Sequence, residues 1–250
     1  MAENILQRYG IKEVADVTFY EIELVNGKET PGAPVLYLET LKVSTIEQTA
    51  ENTAARGGKG NPELIVWDYG KEITVTLEDA LFSAKSMAIM FGSLDENKRV
   101  RFGDDVTILK TAPLAAITKV SDSYYVNVNG KDIEVTGGTY YDVAGSSLGN
   151  VYDSSAAYVT FPITTSEQAV IEVSAATFPG NYYVTGDTYA RNESTGIDEF
   201  FQFIIPKAKV QSEVTLTMEA EGDPSTFSMN LRVLRPADGN MMKLVKYNIA

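Results

Sequence analysis

The strongest constraint on the fold is a two-residue alternation of apolar and polar side chains that recurs along the chain. Between Val17 and Leu24, the side chains of Tyr20 and Ile22 are separated by glutamates, and Phe227–Val233 repeats the pattern. Such an alternation lets a strand bury one face and expose the other. The chain is therefore predicted to be rich in β-strands, and 44% hydrophobic residues can supply a sizeable core.

Turn residues between alternating runs predict antiparallel hairpins. The predicted hairpins pair Glu63–Asp68 with Glu72–Leu77, Tyr124–Val128 with Asp132–Val135, and Val214–Met218 with Phe227–Val233. Asn-Gly is the preferred type I′ turn, because both of its residues tolerate positive φ. Asn26-Gly27 and Asn129-Gly130 are therefore predicted to be turns, and Tyr69-Gly70 is assigned to the first of the three hairpins.

One α-helix is predicted, over about Leu77–Phe91, where apolar residues recur at helical spacing. Thr76 with Asp79 three residues later resembles a capping box at its start. Gly92 is expected to end the helix in the left-handed conformation.

A long loop is predicted over Glu47–Pro62, because this segment has almost no large apolar residues. Its glycines lack the spacing of a phosphate-binding loop and precede a strand, so phosphate binding is not expected. We interpret the segment as an arm that contacts a neighbouring subunit. The residues assigned to this contact are Arg56, Gly57, Gly58, Lys59 and Gly60.

Composition excludes most catalytic chemistry. The chain has no histidine and no cysteine, which removes the commonest general base and the commonest metal ligands. We therefore expect no enzyme, no catalytic residue, no cofactor and no metal site. The formal net charge of −13 has the wrong sign for gripping nucleic acid. No apolar run has the length of a membrane span or a secretory signal, so no membrane association is expected.

Two alternatives rest on residue types that could carry chemistry. Adjacent acids could serve a glycosidase or bind calcium, although solvated surface turns are the preferred interpretation. The acidic pairs are Asp95 with Glu96, Asp104 with Asp105, and Glu219 with Glu221. Adjacent tyrosines could form a sugar-stacking platform, although alternating strands would bury one of each pair. The tyrosine pairs are Tyr124-Tyr125, Tyr140-Tyr141 and Tyr182-Tyr183.

Two segments, Gly57–Ser83 and Phe201–Pro236, resemble tail tube (major tail) proteins of tailed bacteriophages. The resemblance implies a two-sheet antiparallel sandwich or barrel flanked by one helix. It also implies a long loop and terminal arms, here the residues before Val17, that reach neighbouring subunits. Relative to small tube subunits, residues 1–101 and 180–250 are expected to form the core, and residues 102–179 an inserted β-rich subdomain.

The resemblance implies a virion structural protein that assembles into stacked, hexameric rings and forms a conduit for DNA ejection. The lumen of such a tube is typically negative, which prevents DNA from sticking. The acids assigned to the lumen are Glu21, Glu23, Glu72, Glu78 and Glu219. Head decoration, or a carbohydrate-binding adhesion module of a virion, is the alternative function.

The expected partners follow from the same resemblance. They are other copies of the chain, a tape measure protein, tail tip or baseplate proteins and tail terminator or neck proteins, with a sheath protein if the tail contracts. DNA would pass without specific binding. Assembly is expected in the cytoplasm of the host bacterium, and the mature location is the virion tail.

Overall fold

A computed structural model of the chain describes residues 8–94, 100–102, 106–128, 130–165, 169–214 and 226–247. The described chain is mainly β, with antiparallel sheets and one α-helix, as the sequence predicts. It divides into two compact units. The first combines Met1–Val100 with Ile171–Ala250, and the second is Arg101–Val170.

The elements of the first unit before the second unit begins are β1 (Tyr9–Ile11), β2 (Asp16–Val25), β3 (Lys28–Leu38), β4 (Leu41–Arg56), β5 (Glu63–Asp79) and α1 (Ala84–Phe91). The strands of the second unit are β6 (Arg101–Phe102), β7 (Val106–Pro113), β8 (Ile117–Val120), β9 (Ser123–Val128), β10 (Lys131–Glu134), β11 (Thr139–Tyr141), β12 (Ser147–Gly149), β13 (Tyr158–Thr165) and β14 (Ala169–Val170). The first unit then resumes with β15 (Asn181–Asn192), β16 (Asp198–Val210), β17 (Phe227–Val233) and β18 (Lys243–Tyr247).

One large sheet forms the first unit, with strand order β3-β2-β15-β16-β17-β5-β4. The strands at its two ends, β3 and β4, are consecutive in the chain and only Glu39 and Thr40 separate them. Because consecutive Cα atoms lie about 3.8 Å apart, the two ends of the sheet must meet at this point. Leu38 and Leu41, on either side of the link, are buried in the same core. The sheet therefore curls back on itself in the manner of a sandwich or barrel.

The core of the first unit follows from the alternation in its strands. In β5, Ile73, Val75 and Leu77 are buried while the residues between them are half-exposed. The same alternation holds in β17, where Leu231 is fully buried. Helix α1 adds Ile89 to this core. Period-two burial is what a sheet with one covered face requires.

The predicted start of the helix is wrong. Leu77 and Asp79 belong to β5, where Leu77 pairs with Met229 of β17, so the apolar spacing at that point serves a strand. The Asp79 carboxylate caps no helix. It accepts hydrogen bonds from the Thr40 hydroxyl at 2.5 Å and from the Leu81 backbone N–H at 3.1 Å.

Helix α1 begins seven residues later than predicted, after the N-cap Ser83. Ser83 and Ser86 form a reciprocal capping box: the Ser86 N–H donates to Ser83 Oγ at 3.0 Å, and the Ser83 N–H donates to Ser86 Oγ at 2.9 Å. The predicted end is confirmed, because Gly92 has φ of 67°.

The predicted loop over Glu47–Pro62 is also wrong. Most of this segment lies in β4, which pairs with β5 from Leu41 to Arg56. The predicted hairpin at Tyr69-Gly70 is wrong for the same reason, since β5 runs through both residues with Gly70 at φ of 62°. Pairing with β5, the next strand of the chain, supplies hydrogen bonds that make small polar residues acceptable in a strand. The polar sequence of β4 does not show by itself that this pairing extends over the whole segment.

Two other turn predictions are confirmed. Asn26 and Gly27 both have positive φ, 53° and 75°, between β2 and β3. The hairpin of β9 and β10 pairs Val128 with Lys131 and has Gly130 at φ of 83°, whereas Asn129 lies outside the described residues. The predicted hairpin of Val214–Met218 with β17 also extends beyond the described residues.

The second unit consists of small antiparallel sheets. Their orders are β10-β9-β8 and β12-β11-β13-β7, and β6 pairs with β14. The unit has its own core, in which Val159 and Phe161 of β13 are fully buried beside Val126 and Tyr140. A short 3-10 helix, Leu114–Ala116, follows β7.

Both termini of the described chain are tied to the large sheet. Strand β1 pairs with β15, and β18 pairs with β16. Between them, the Lys246 ammonium contacts the Glu199 carboxylate and donates to the Tyr9 hydroxyl at 2.5 Å. The Asn192 amide donates to Glu199 Oε1 at 3.1 Å. This cluster joins the segment before Val17 to its own subunit through residues 9–11.

The cluster predicts a pH dependence of stability. The hydrogen bond from Lys246 holds the pKa of Glu199 below its ordinary value of 4.5. The stabilisation that Glu199 contributes to the folded state is therefore fully present above about pH 4.5. It is lost as the pH falls through the lower pKa of Glu199 in the folded state. The hydrogen bonds to Glu199 and Tyr9 raise the pKa of Lys246 above its ordinary value of 10.5. Its contribution is complete below that pH and is lost as the pH rises through the folded-state pKa.

Thermal unfolding followed by circular dichroism between about pH 3 and pH 7 tests this prediction. We expect Lys246→Met to flatten the acid limb of the Tm curve relative to the native chain. Lys243→Met is the matched control, because Lys243 is an exposed lysine on the same strand. Parallel acid limbs for the native chain and Lys246→Met would refute the assignment.

Candidate functional site

The main candidate is a β-ribbon that extends beyond the core, which we call the β4–β5 arm and define as Glu47–Lys71. Burial in β5 starts only at Ile73, and every residue from Gly58 to Lys71 is exposed. In β4, Leu41 is buried and most of the residues after it are exposed. The arm therefore has two paired strands but, within the described chain, no layer packed on it.

Large apolar side chains occupy both faces of the arm. Pairing of Thr53 with Trp67 and of Ala54 with Val66 shows that the ladder stays in register here, so neighbouring residues of β5 point to opposite faces. Ile65, Trp67 and Tyr69 share one face and are 54%, 52% and 53% exposed. Val66 lies on the other face and is 49% exposed. Leu64 is 64% exposed and lies where the register of the ladder shifts, between the pairs Ala55 with Ile65 and Arg56 with Glu63.

The tip of the arm is glycine-rich and basic. The Gly57 N–H donates to the Pro62 carbonyl at 3.2 Å, and the Asn61 N–H donates to the Gly58 carbonyl at 3.2 Å. These bonds close the turn between the two strands. The Arg56 guanidinium pairs with the Glu63 carboxylate across it. Lys59 is exposed at the end of the turn.

The residues assigned to inter-subunit contact from the sequence all lie at this tip. Arg56 is the last residue of β4, and Gly57, Gly58, Lys59 and Gly60 follow in the turn. The exposed apolar residues Leu64–Trp67 and Tyr69 are missed by the sequence analysis, because it assigns that run to a separate hairpin. The available signal was the run itself, since consecutive large apolar residues are typical of a strand covered on both faces.

Two of the five acids assigned to the lumen lie on β5. Glu72 and Glu78 alternate with the buried Ile73 and Leu77, so they project from the face of the sheet opposite the core. Glu72 is paired, with its Oε2 atom 3.0 Å from Nη2 of Arg232. This face of the sheet therefore carries both acidic and basic groups.

The other assigned acids are elsewhere. Glu21 and Glu23 lie on β2, which is separated from β5 by three strands in the sheet order. Glu21 and Tyr182 line the same cleft, and burial, followed by the charge of Glu21, raises the pKa of the Tyr182 hydroxyl. Glu219 lies outside the described residues. The structure brings Glu72 and Glu78 to one strand face and does not join them to the β2 pair.

A cleft of about 600 Å³ lies beside Glu21. Its walls include Leu24, Tyr182 and Lys207. Glu29, also in the wall, is only 7% exposed, and its carboxylate lies 4.0 Å from the Lys207 ammonium and accepts the Ala237 N–H at 2.9 Å. The carboxylate of Glu29 in this cleft is therefore already bound by Lys207 and by the Ala237 N–H of the same chain, which is typical of a structural ion pair.

Two of the three tyrosine pairs follow the alternation of their own strands. Tyr140 and Tyr182 are buried, while their neighbours Tyr141 and Tyr183 are half-buried, as alternation predicts. The Tyr124 ring stacks on Tyr152 with a centroid distance of 4.3 Å. The Lys119 ammonium also lies over that ring, 5.6 Å from its centroid. The Tyr124 ring is therefore already in contact with neighbouring side chains of the protein.

The acidic pairs considered for catalysis or calcium binding all lie outside the described residues. Among the residues that are described, no group of three or more acidic side chains is placed to hold a metal ion. Within the same ranges, no helix is long and apolar enough to span a membrane.

The sequence was compared with protein families and with curated proteins. No curated protein matches the sequence. A protein-family model described as "YomU/Tube protein family" matches residues 9–246, which is nearly the whole chain and includes the β4–β5 arm. The chain therefore belongs to the YomU/Tube protein family.

Proposed function

We propose that the chain is the tail tube subunit of a tailed bacteriophage, a virion structural protein that assembles into stacked, hexameric rings and forms a conduit for DNA ejection. Membership of a tube family makes a tube-type structural role the starting point. The observation that carries the proposal to self-assembly is the β4–β5 arm, with its apolar side chains exposed on both faces.

The arm needs a partner on energetic grounds. An isolated two-stranded ribbon is at best marginally stable in water, and exposed apolar patches of this kind mark interaction sites. Covering the exposed halves of Leu64–Trp67 and Tyr69 would remove roughly 500 Å² from water, at roughly 100 Å² per side chain. At about 25 cal/mol per Å², this contributes on the order of 10 kcal/mol before the entropy cost of association. That gain is large enough to support assembly.

The charge of the chain favours another copy as the partner. The tip presents Lys59 on a chain whose formal net charge is −13, whereas the charge of Arg56 is already paired with Glu63. A basic tip is complementary to the predominantly acidic surface of a second copy, which gives the contact its orientation. The remaining negative charge repels other copies at long range and is screened by salt.

The same acidity suits a DNA conduit. Carboxylates on the wall would repel phosphates and prevent the counterion release that gives nonspecific affinity. The lumen acids remain those assigned from the sequence, with Glu72 weakened as a candidate because Arg232 neutralises it. The function is mechanical and electrostatic, so we propose no catalytic activity, cofactor or metal.

The proposal includes the partners that a tail tube requires. These are a tape measure protein, tail tip or baseplate proteins and tail terminator or neck proteins, with a sheath if the tail is contractile. The subunit would be assembled in the host bacterial cytoplasm and reside in the tail of the virion.

Trp67 provides a direct test of self-association, because it is the single tryptophan of the chain and lies on the arm. We expect its emission to shift to shorter wavelength and its quenching by iodide to fall as the protein concentration rises, in parallel with growth of the sedimentation coefficient. Growth of the sedimentation coefficient with unchanged Trp67 emission would exclude the arm as the contact. A monomer at every concentration would count against the proposed function.

Charge reversal tests the lumen. Replacing Glu23 and Glu78 with lysine is expected to leave tube assembly intact and slow DNA release from purified particles, because lysines would bind the passing phosphates. Adding salt should restore part of the rate. Glu134→Lys is the control, since Glu134 is an exposed acid of the second unit. Release at the native rate from the double variant would remove these two acids from the lumen.

A further inference from the structure

A lysine, an asparagine and a glutamate meet at one end of the large sheet. Asn192, the last residue of β15, is only 1% exposed, and its Nδ2 donates to Glu199 Oε1 at 3.1 Å. The Lys246 ammonium on β18 contacts the other oxygen of the same carboxylate. The Tyr9 hydroxyl accepts hydrogen bonds from Lys246 Nζ at 2.5 Å and from Asn192 Nδ2 at 3.5 Å. The two nitrogens therefore share two neighbours and lie close together.

The side-chain carbonyl of Asn192 is bound by two backbone amides. The Ser194 N–H donates to Asn192 Oδ1 at 2.9 Å, and the Thr195 N–H donates to the same oxygen at 3.3 Å. Paired N–H groups aimed at one carbonyl oxygen polarise the carbonyl and stabilise the negative charge that develops on it when a nucleophile attacks. The Asn192 amide is therefore held with its oxygen activated and its nitrogen against a carboxylate.

The site is partly withdrawn from water. The side chains of Lys246 and Glu199 are 27% and 17% exposed. Lys246 Nζ lies 4.8 Å from the centroid of the Tyr9 ring, which packs edge-on against Phe201. Burial disfavours charged groups, so it narrows the free-energy difference between the ion pair and the neutral pair that forms when the Lys246 proton moves to Glu199. The raised pKa of Lys246 and the lowered pKa of Glu199 make the ion pair the resting form and the neutral pair the minor, reactive form.

We propose that this cluster is a self-cross-linking site, in which the Lys246 side chain forms an amide (isopeptide) bond with the Asn192 side chain and Glu199 transfers the protons. The reaction is intramolecular and occurs once in each molecule, so the chain still turns over no substrate. This inference does not rest on the proposed tail function, because every participating residue belongs to one chain.

The atoms and charges of this reaction balance. Proton transfer from Lys246 to Glu199 produces a neutral amine, which attacks Asn192 Cγ and forms the new C–N bond. The carbonyl electron pair moves to Oδ1, where the Ser194 and Thr195 N–H groups stabilise it. Glu199 gives its proton to Nδ2 and takes one from Nζ, the carbonyl re-forms, and the Cγ–Nδ2 bond breaks. Ammonia leaves and carries away the remaining proton as ammonium, which restores the carboxylate.

The new bond would join β18 covalently to β15, whereas the described β18 pairs with β16. A covalent link between distant parts of a chain restricts the unfolded state, as a disulfide does, and this chain has no cysteine with which to form one. The reaction also removes the charge of Lys246. The pH dependence of stability expected from the Lys246–Glu199 ion pair therefore belongs to the chain before the bond forms.

Intact mass spectrometry of the full chain tests the inference, after the purified protein has been kept near neutral pH until its mass is constant. We expect a mass lower by about 17 Da than that of the unreacted chain, which is the mass of one ammonia. Trypsin cleaves after Arg191 and Lys243 but not after an acylated Lys246. We therefore expect a branched peptide that joins the segment starting at Asn192 to the segment starting at Leu244.

Two variants separate the nucleophile from the proton carrier. Lys246→Arg keeps a cation beside Glu199, but a guanidinium stays protonated and does not attack, so this variant should keep its full mass. Glu199→Gln keeps the amine and the amide, and it should lose ammonia at least about a hundredfold more slowly because the proton carrier is gone. Glu193→Gln is the matched control, since Glu193 is a 62% exposed carboxylate next to Asn192, and it should react at the native rate. Circular dichroism checks that each variant retains the native β-sheet signal.

A native chain that keeps its full mass would overturn the inference, and the cluster would then be a structural ion pair. The same conclusion follows if the lost ammonia is located in a linear peptide, as succinimide formation at Asn26-Gly27 would produce, or if Lys246→Arg still loses it. Equal rates for Glu199→Gln and Glu193→Gln would remove Glu199 from the mechanism. Each of these results leaves the proposed function standing, because assembly is measured separately.

Discussion

Replacing Ile65, Trp67 and Tyr69 together with serine is expected to keep the protein monomeric at concentrations at which the native chain assembles. Each residue is about half-exposed in the isolated subunit, so its removal costs the fold little and the interface much. Truncation of a buried aromatic anchor costs about 2 kcal/mol or more, so Trp67 alone should weaken association roughly thirtyfold. The triple variant should weaken it by a factor of about a thousand or more.

Sedimentation velocity over a concentration series measures this effect. The control replaces Ile108 and Leu109 with serine, which removes exposed apolar side chains from β7 in the second unit. That control should assemble like the native chain. If the triple variant assembles as readily as the control, the face that carries Ile65, Trp67 and Tyr69 is not an interface and the β4–β5 arm loses its role.

Replacing Gly92 with alanine is expected to cause the largest loss of stability of any single methyl addition proposed for this chain. Gly92 ends helix α1 with φ of 67°, and the Ser93 N–H beyond it donates to the Ala88 carbonyl at 2.8 Å. An added Cβ would lie 2.4 Å from the carbonyl carbon of Phe178 and 2.7 Å from the nitrogen of Pro179. Because both contacts are backbone atoms, relief requires movement of the chain.

The expected cost combines two effects. The left-handed conformation costs about 1–2 kcal/mol for a residue with a Cβ, and overpacking adds about 1–3 kcal/mol. For a chain of this length the sum corresponds to a decrease in Tm of about 10 °C. Thermal denaturation followed by circular dichroism measures it.

Gly239→Ala separates the two effects. Gly239 has a similar φ of 78°, but an added Cβ would meet nothing within 4 Å. It should therefore lose about 1 kcal/mol from backbone strain alone. Equal losses for the two variants would show that the contact between Gly92 and the Phe178–Pro179 backbone is absent in solution.

The alternation in the sequence predicts much of the large sheet, because period-two burial is local. In β2, in the second half of β5 and in β17, buried residues alternate with mainly polar ones, and the sequence correctly predicts strands at these segments. The Asn26-Gly27 turn is predictable for the same reason, since its φ angles depend on the residues themselves.

The errors arise where pairing with another strand decides the local structure. The helix is predicted to begin at Leu77 because apolar residues at helical spacing continue across the end of β5. Pairing of Leu77 with Met229 makes this end of the segment a strand. The polar second half of β4 is predicted as a loop because it lacks apolar alternation. It forms a strand because the apolar first half of β5 pairs with it and supplies the hydrogen bonds.

The β4–β5 arm was only partly predictable. The glycines of the tip favour an exposed turn, and the structure has a turn there, whereas the contact assigned to these residues stays a prediction. The exposure of its apolar residues is not predictable from the sequence, because Leu64–Trp67 has the composition of a buried strand. Exposure of such a run is a property of the tertiary structure, and in the proposed tube the run would be buried by other copies.

Negative-stain electron microscopy of the purified native chain at high concentration tests the central claim most directly, at low salt and again with salt added to screen the charge of −13. The account predicts rings or hollow tubes of uniform diameter, favoured by salt, and absent from the Ile65, Trp67 and Tyr69 triple variant. Particles that remain single subunits under both conditions would contradict it.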